Sequence, residues 1–182
     1  MNMKIISTKF KDLKIIKLNN LNDLRGSFIK LFEKKNFFSN FKCIESYMSR
    51  SKKGTVRGLH AQKGKYSQEK IIFCIHGKVL DISIDLRKNS KTFGMHISTI
   101  LSEKNSKSIF IPPGFAHGFC ALSNENYIVY SCTKYREKKF EIGIKYNDKD
   151  LNIRWPVKKP IISKKDMYGL SFKEFKKKIK II

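Results

Sequence analysis

The chain alternates short runs of β-branched and aromatic residues with turn residues, at intervals of about 8 to 12 residues. Glycine, proline and asparagine stand between the runs, as in the turn Pro112-Pro113-Gly114. Nine runs are predicted to be strands: 14–18, 43–49, 70–77, 78–86, 95–101, 107–111, 117–123, 126–133 and 141–146. Many short strands at this spacing indicate an all-β sandwich or barrel.

One of these runs, KVLDISIDL at residues 78–86, has the pattern of an antiparallel strand. Side chains along a strand point alternately to the two faces of its sheet. Apolar residues fall mostly on one face and polar residues on the other: Val79, Ile82, Ile84 and Leu86 against Asp81, Ser83 and Asp85. Such alternation is typical of antiparallel sheets.

Two stretches are predicted to be helical, FEKKNFFSN at 32–40 and the tail LSFKEFKKKIKII at 170–182. The tail is expected to place Phe172, Phe175 and Ile179 on the barrel, with its lysines in solvent. The alternative is a basic amphipathic segment that contacts a membrane. No repeat or linker divides the chain, so one domain over residues 1–182 is expected.

The net charge of +24 raises the possibility of nucleic-acid binding. Only six of the 39 basic residues are arginine, however, and the lysines are scattered along the whole chain. Base and phosphate recognition favours arginine, so we predict no nucleic-acid partner.

A location in the cytoplasm is expected, without membrane association. No apolar run approaches the roughly 20 residues needed to span a bilayer. The N-terminal sequence MNMKIISTKF also lacks the apolar segment of a secretory signal.

The cysteines and histidines do not form metal-ligand patterns. The four cysteines contain no CxxC pair, and three lie in apolar runs where a free thiol behaves as a small hydrophobe. The histidines, at 60, 76, 96 and 117, stand singly, without the close pair typical of a catalytic metal site. We therefore predict no metal.

In the segment RGLHAQ, His60 has three interpretations: a core side chain, a metal ligand or a general base. Arg57 and Gln62 lie close by in sequence. In a regular strand Arg57 would point away from the face that His60 and Gln62 share. A bulge at Gly58 is therefore required if all three are to reach one pocket.

Three other candidates also have structural alternatives. His117, in the segment IPPGFAHGF, is either a turn-stabilising residue or a site residue. Tyr130 lies among apolar neighbours and is either a core tyrosine or an acid. Asp166 alone resembles a helix N-cap. Local chemistry thus predicts a metal-free β-barrel with candidate acid and base groups, without naming a reaction.

Several motifs in a fixed order carry a more specific signal. They are RGLHAQ (57–62), KIIFCIHGKVLDISIDLRKNSKTFG (70–94), IPPGFAHGF (111–119), YND (146–148), WP (155–156) and ISKKD (162–166). Together they closely resemble the dTDP-4-dehydrorhamnose 3,5-epimerase family, from DLRGSF at residue 23 to about Asp166.

The resemblance implies a cupin-like jelly-roll barrel (a double-stranded β-helix) with a few short helices, forming a homodimer with neither cofactor nor metal. It implies inversion of carbon 3 and carbon 5 of a nucleotide-linked 4-keto-6-deoxyhexose, in deoxysugar and surface-polysaccharide (O-antigen) biosynthesis. The family's base pair corresponds to His60 and Asp166, its lysine to Lys70 and its tyrosine acid to Tyr130. Substrate-binding positions correspond to Arg25, Arg57, Gln62, His117, Tyr135, Glu141 and Lys165.

The chain departs from the family pattern at positions expected to influence substrate choice. They are Lys30, Glu45, Ser46, Tyr47, Ala61 and Arg136. These departures leave open another pyrimidine nucleotide and epimerisation at carbon 3 only. A barrel that binds nucleotide sugar without turnover is a further alternative.

Overall fold

The computed structural model describes residues 3–34 and 36–179 of the 182-residue chain. Its strands are β1 (Lys4–Ser7), β2 (Lys14–Lys17), β3 (Asn20–Asp23), β4 (Gly26–Ile29), β5 (Glu45–Lys52), β6 (Val56–Gln62), β7 (Lys70–His76), β8 (Lys78–Asp85), β9 (His96–Ser102), β10 (Lys107–Ile111), β11 (Phe115–Ala121), β12 (Glu125–Cys132) and β13 (Glu141–Gly143). Its helices are α1 (Lys164–Met167) and α2 (Phe172–Ile179), with 3-10 turns at Asn36–Phe38, Gly64–Tyr66 and Lys138–Phe140.

Two antiparallel sheets form the jelly-roll barrel. The six-stranded sheet has the order β1-β2-β10-β7-β12-β5, and the five-stranded sheet has the order β13-β6-β11-β8-β9. Strands β3 and β4 form a separate hairpin. The all-β, cupin-like prediction is confirmed. No helix within the described ranges is long and apolar enough to cross a bilayer.

The core lies between the two sheets and also outside each of them. Along β7, Ile72 and Cys74 belong to the inner cluster, whereas Ile71 and Phe73 belong to an outer one. Because both faces of β7 are buried, its sequence is a continuous apolar run rather than an alternating one.

Each sheet has a covering layer on its outer face. Phe38 and Phe41 pack on the six-stranded sheet against Phe110 of β10. On the five-stranded sheet, Phe172 and Phe175 of α2 join a cluster with residues of β6 and β8. These layers bury apolar area that a two-sheet barrel alone would leave in water.

Most predicted strands are confirmed within one to three residues at each end. The run at 141–146 is shorter, because β13 ends at Gly143 and the next residues bond elsewhere: Ile144 with Leu59, and Lys145 with Leu170. Strands β1, β3, β4 and β6 were not among the nine predicted runs, although an extended conformation was considered for the RGLHAQ segment of β6.

The helix predicted at 32–40 is wrong: residues 32–34 and 36–40, which the structure describes, contain only the 3-10 turn Asn36–Phe38. Phe32 and Phe38 contact each other and Phe41, so the aromatic rings form a cluster against the sheet rather than a helical stripe. In the tail, α2 is confirmed over Phe172–Ile179, with Phe172 and Phe175 buried. The side chain of Ile179, which was predicted to contact the barrel, and residues 180–182 lie outside the part of the chain that the structure describes.

Candidate active site

A cavity of about 940 Å³ opens between the two sheets. Strands β5, β7 and β12 line it from the six-stranded sheet, strands β6, β11 and β13 from the five-stranded sheet, and α1 with the residues before it closes one side. Nine of the eleven predicted site residues line this cavity: Arg57, His60, Gln62, Lys70, His117, Tyr130, Glu141, Lys165 and Asp166.

A β-bulge brings Arg57 and His60 into the same cavity. His60 pairs with His117, but Arg57 pairs with Phe119, so β6 uses one more residue than β11 across this step. The bulge predicted at Gly58 is therefore confirmed. Gly58 has φ +121°, and a Cβ there would lie 2.6 Å from the Cα of Gly118 and 2.8 Å from the His117 carbonyl oxygen. Only glycine fits this close approach.

His60 and Asp166 form a hydrogen-bonded pair at the wall of the cavity. The Nε2 of His60 lies 2.8 Å from Oδ1 of Asp166, and the backbone N–H of Gly58 donates to Oδ2 at 3.0 Å. Asp166 lies in α1, whose N-cap is Ser163: its hydroxyl accepts the Asp166 N–H at 3.1 Å. The interpretation of Asp166 as an N-cap is therefore wrong.

The hydrogen bonds of Asp166 determine which nitrogen of His60 is basic. Burial alone raises the pKa of the Asp166 carboxyl, but hydrogen bonds from His60, Gly58 and Ser163 outweigh it and hold that pKa below its usual value. The carboxylate is therefore ionised near neutral pH and can only accept. Nε2 must then carry the proton, and Nδ1 keeps a free lone pair.

A second histidine–carboxylate pair lies beside the first. The Nε2 of His117 is 2.5 Å from Oδ2 of Asp81, and both side chains are buried. Ser83, on the same strand as Asp81, donates to Oδ1 at 3.4 Å. The polar face of β8 thus points into the barrel, where Asp81 orients the imidazole of His117.

Tyr130 enters the cavity from the opposite sheet to His60. Its ring stacks on Tyr47, with centroids 4.8 Å apart, and its hydroxyl lies 3.3 Å from the Oγ of Ser49. Burial raises the pKa of the Tyr130 phenol, which is the largest influence on it. The phenol is therefore protonated at neutral pH and can donate a proton.

Lys70 lies at the start of β7, next to Cys132 of β12. Burial lowers the pKa of its ammonium group, and attraction to the Glu141 carboxylate offsets this only in part. The ammonium group therefore has little solvation and interacts strongly with a negative charge that develops nearby.

Glu141, on β13 in the lining of the cavity, pairs with two cationic side chains from other segments of the chain. It accepts hydrogen bonds from the ammonium group of Lys165 and from Nε of Arg136, the latter at 3.0 Å. Burial raises the pKa of the Glu141 carboxyl, but Lys165, His60 and Arg136 together hold it below its usual value. Glu141 is therefore ionised and fixes the positions of the Lys165 and Arg136 side chains.

Arg57 and Gln62 complete the set on β6. The Arg57 guanidinium donates to Ser51 Oγ and to the Arg50 carbonyl oxygen, both at 3.0 Å, so it lies against β5. The Oε1 of Gln62 accepts the N–H of Glu137 at 3.2 Å.

A family model for dTDP-4-dehydrorhamnose 3,5-epimerase matches residues 7–174 of the chain. The chain belongs to the dTDP-4-dehydrorhamnose 3,5-epimerase family. A Shigella flexneri protein described by the same name is 40% identical over 174 residues, which cover 93% of this chain and 96% of the relative.

Two solved structures of epimerases have the same fold. One is an epimerase from Bacillus anthracis with TDP and PPi bound, which matches with a TM-score of 0.90 and 36% sequence identity. The match covers 94% of this chain and 100% of the Bacillus anthracis chain. The other is dTDP-6-deoxy-D-glucose-3,5-epimerase from Legionella pneumophila in complex with dTDP-4-keto-L-rhamnose. It has a TM-score of 0.88 and 36% identity and covers 92% of each chain.

Two predicted residues of this epimerase-family chain do not line its cavity. Arg25 lies at the turn between β3 and β4, where its exposed guanidinium pairs with Asp23 at 2.6 Å. Tyr135 is 64% exposed and follows β12. The structure of one chain thus assembles nine of the predicted side chains and leaves these two outside.

Some residues in the epimerase cavity were not among the candidates. Asp81, Tyr47 and Gln68 contact or line it. A carboxylate within the apolar strand β8 was a usable signal for Asp81. No local pattern distinguishes Gln68, which lies in the loop before β7.

The positions that depart from the family pattern divide into two groups. Glu45, Tyr47, Ala61 and Arg136 line the cavity. Lys30 and Ser46 are not among the lining residues: Lys30 follows β4 and pairs with Glu33 at 3.1 Å, and the Ser46 hydroxyl donates to the Tyr130 carbonyl oxygen at 2.9 Å.

Proposed function

We propose that this protein is a cofactor-independent epimerase that inverts carbon 3 and carbon 5 of a dTDP-linked 4-keto-6-deoxyhexose. One observation carries the proposal: His60 and Tyr130 line the same cavity from different sheets. Inversion requires a proton to leave one face of the sugar ring and another to arrive at the opposite face. A base and an acid on opposite walls meet this requirement.

In the first step, Nδ1 of His60 removes the proton from a carbon beside the ketone. Asp166 supports this step because it holds the proton on Nε2 and stabilises the imidazolium that forms. The electrons of the broken C–H bond move to the ketone oxygen and produce an enolate.

In the second step, Lys70 stabilises the enolate. A cation aimed at a developing oxyanion is most effective where water is excluded. The lowered pKa of Lys70 indicates such an environment. Tyr130 then donates its proton to the other face of the carbon, and the ketone is restored with inverted stereochemistry.

The nucleotide diphosphate binds to hydrogen-bond donors in the wall of the cavity. We assign this contact to Arg57 and His117, which lie on the neighbouring strands β6 and β11. The net charge of +24 assists capture of the anionic substrate through long-range attraction.

We further propose that the protein is a homodimer in which the β3–β4 hairpin of one copy reaches the cavity of the other. Leu24 and Phe28 on this hairpin are 109% and 64% exposed, and Arg25 lies between them. Apolar side chains so exposed favour burial at an interface. An Arg25 that is remote from its own cavity can then bind the diphosphate held by its partner.

The proposed setting is the cytoplasm, where the product serves deoxysugar and surface-polysaccharide biosynthesis. The four cysteines are all free thiols, three of them buried. Unpaired cysteines suit a reducing compartment.

The test is solvent exchange during turnover. Incubation with a dTDP-linked 4-keto-6-deoxyglucose in deuterium oxide should introduce deuterium at carbon 3 and carbon 5, as measured by NMR and mass spectrometry. Label at carbon 3 alone would replace the proposal with a single-site epimerase. Tight binding without label at either carbon would show a binding protein and refute the enzymatic function.

A further inference from the structure

Tyr47 stacks on Tyr130, the residue to which the proposed function assigns proton donation. The two residues lie directly opposite each other on the neighbouring strands β5 and β12. Their ring centroids are 4.8 Å apart, and the ring planes differ by only 21°. Both side chains line the cavity. The proposed mechanism assigns no role to Tyr47, although its ring packs on the proposed acid.

Strand β5 contacts Tyr130 at its backbone, its ring and its hydroxyl. The hydroxyl of Ser46 donates to the Tyr130 carbonyl oxygen at 2.9 Å. Tyr47 stacks on the ring, and the Oγ of Ser49 lies 3.3 Å from the phenol oxygen. From the other sheet, His117 meets the same ring nearly edge-on, with centroids 6.1 Å apart and planes at 77°. The ring of Tyr130 thus has aromatic contacts from both sheets.

The stack is the contact best suited to fix the direction of the Tyr130 phenol. An O–H···O hydrogen bond is usually about 2.7–2.8 Å long, so the 3.3 Å separation from Ser49 indicates only a weak restraint on the hydroxyl. Aromatic pairs attract each other beyond the area that they bury, and they prefer defined geometries. A weakly bonded hydroxyl on a firmly held ring leaves its proton free to move to a substrate carbon.

The hydroxyl of Tyr47 lies next to a core thiol. It accepts a long hydrogen bond from the Sγ of Cys132 at 3.9 Å, and Cys132 is fully buried. Burial raises the pKa of the Tyr47 phenol, so this phenol is neutral. The part of Tyr47 that contacts the proposed acid is therefore its ring rather than its hydroxyl.

The position of a proton donor strongly affects the rate of transfer, because a displacement of about 1 Å can lower a rate about 100-fold. We propose that Tyr47 is a positioning residue whose ring holds the phenol of Tyr130 in line with the sugar carbon that is inverted. Removal of a proton by His60 takes place from the other sheet and does not need this support. Tyr47 therefore acts on inversion and not on exchange. This inference rests on the proposed function.

The test measures the amount of inverted product formed per deuterium incorporated, from initial rates in deuterium oxide. Tyr47→Phe keeps the ring and loses the hydroxyl, so its ratio should stay within about 3-fold of the wild type. Tyr47→Leu loses the ring, so its ratio should fall at least about 10-fold while exchange continues. A partly unfolded sample lowers both rates together and leaves the ratio unchanged. An unchanged ratio in Tyr47→Leu, or a large fall in Tyr47→Phe, would overturn the proposal.

A double replacement distinguishes positioning from an independent role. Because Tyr47 acts through the hydroxyl of Tyr130, adding Tyr47→Leu to Tyr130→Phe should change the residual inversion by less than about 3-fold. A further fall of about 10-fold or more would show that Tyr47 acts on the sugar or on the fold by another route, and the proposal would be wrong.

Tyr66→Leu is the matched control. Tyr66 forms a comparable aromatic pair with Phe140, with centroids 4.6 Å apart, and is not among the residues that line the cavity. The variant should keep the wild-type ratio of inversion to exchange. A lower ratio would show that loss of any aromatic pair has this effect, and the assignment to Tyr47 would not stand.

NMR of the unaltered enzyme decides the question if Tyr47→Leu fails to fold. With ¹³C-labelled tyrosine, the ring signals of Tyr130 are identified by their absence in Tyr130→Phe. The stacked ring of Tyr47 should shift these signals upfield, and the shift should persist when a dTDP-linked 4-keto-6-deoxyglucose is bound. Signals at ordinary positions, or a shift that disappears on binding, would refute the positioning role.

The outcomes separate this inference from the proposed function. Absence of both exchange and inversion in the wild type would refute the proposed function. Normal inversion by the wild type, together with an unchanged ratio in Tyr47→Leu, would refute only the role of Tyr47.

Discussion

His60 and His117 lie directly opposite each other on neighbouring strands, and each imidazole binds its own buried carboxylate. Asp166 holds His60 at 2.8 Å, and Asp81 holds His117 at 2.5 Å. The two pairs are alike in chemistry, but we assign them different tasks. His60 exchanges a proton with the sugar, and His117 binds the diphosphate.

Replacement of the two carboxylates should therefore have different kinetic effects. In Asp166→Asn, the amide can donate to Nε2 of His60 and so select the tautomer that has no base at Nδ1. We expect kcat for deuterium exchange to fall about 10²- to 10⁴-fold. In Asp81→Asn, His117 loses its orientation, and we expect KM to rise about 10-fold with little change in kcat.

Steady-state kinetics with parallel measurement of deuterium exchange distinguishes the two variants. Circular dichroism provides the folding control. If Asp81→Asn lowered exchange as strongly as Asp166→Asn, His117 would be part of the proton-transfer machinery and the assignment would be incorrect.

Tyr130→Phe should separate exchange from inversion. The variant keeps the stacking of ring 130 on Tyr47 but loses the hydroxyl, so His60 can still remove and return a proton on its own face. We expect deuterium to appear in the starting sugar while formation of the inverted product falls at least about 10²-fold. Tyr127→Phe, on the same strand but outside the cavity lining, is the matched control and should invert normally. Full inversion by Tyr130→Phe would assign the donor elsewhere.

Lys70→Met should gain stability and lose activity. Because burial lowers the pKa of Lys70 in the folded state, the unfolded state binds more protons between the folded and unfolded pKa values. The charged lysine therefore destabilises the fold at neutral pH, and the penalty decreases as the pH rises towards the unfolded pKa of about 10.4.

Calorimetry at pH 7 should accordingly show a melting temperature for Lys70→Met a few degrees above that of the wild type. In a chain of this size, each kcal/mol of added stability raises the melting temperature by on the order of 2–4 °C. The difference should shrink at alkaline pH. Exchange activity should fall about 10²- to 10³-fold because the enolate loses its cation. Lys91→Met removes an exposed lysine and should change neither quantity. A lower melting temperature for Lys70→Met would contradict the argument.

Asp85 should account for part of the acid sensitivity of the fold. Arg87, Ser90 and Thr92 hydrogen-bond its buried carboxylate. Burial alone raises the pKa of Asp85, but these partners outweigh it and lower the pKa to about 2. The stabilisation is thus complete above the unfolded pKa of about 3.9 and is lost as the pH falls through about 2.

Urea unfolding of wild type and Asp85→Asn at pH 6 and at pH 2 tests this dependence. The wild type should exceed Asp85→Asn in unfolding free energy by about 2 kcal/mol more at pH 6 than at pH 2. Asp12→Asn removes the other, exposed partner of Arg87 and should cost less than about 1 kcal/mol. A difference for Asp85→Asn that is the same at both pH values would refute the prediction.

The strands of the barrel were predictable because their apolar runs and turns are local signals. Strand β10 was predicted with its observed limits, and β7 and β8 to within one residue. The helix predicted at 32–40 failed because the partner of its aromatic residues is the outer face of a distant sheet. Local propensity carries no information about such a partner.

Local sequence signals left each candidate site residue with a structural alternative. The resemblance to the epimerase family named His60, Lys70 and Tyr130 together as candidates, and all three line one cavity. Gln68 was missed because an isolated glutamine in a loop is ordinary, and only its lack of a partner in the folded barrel makes it notable.

The bulge at Gly58 does more than aim two side chains. In a regular strand the N–H of residue 58 would be used to pair with its neighbour, but here it holds the carboxylate of Asp166. One additional residue in β6 thus provides the proposed catalytic pair with a backbone donor, which only a proline at position 58 would remove. We expect shortening of this strand by one residue to eliminate both the shared pocket and the support for the proposed base, so the length of the strand would itself decide whether the site can form.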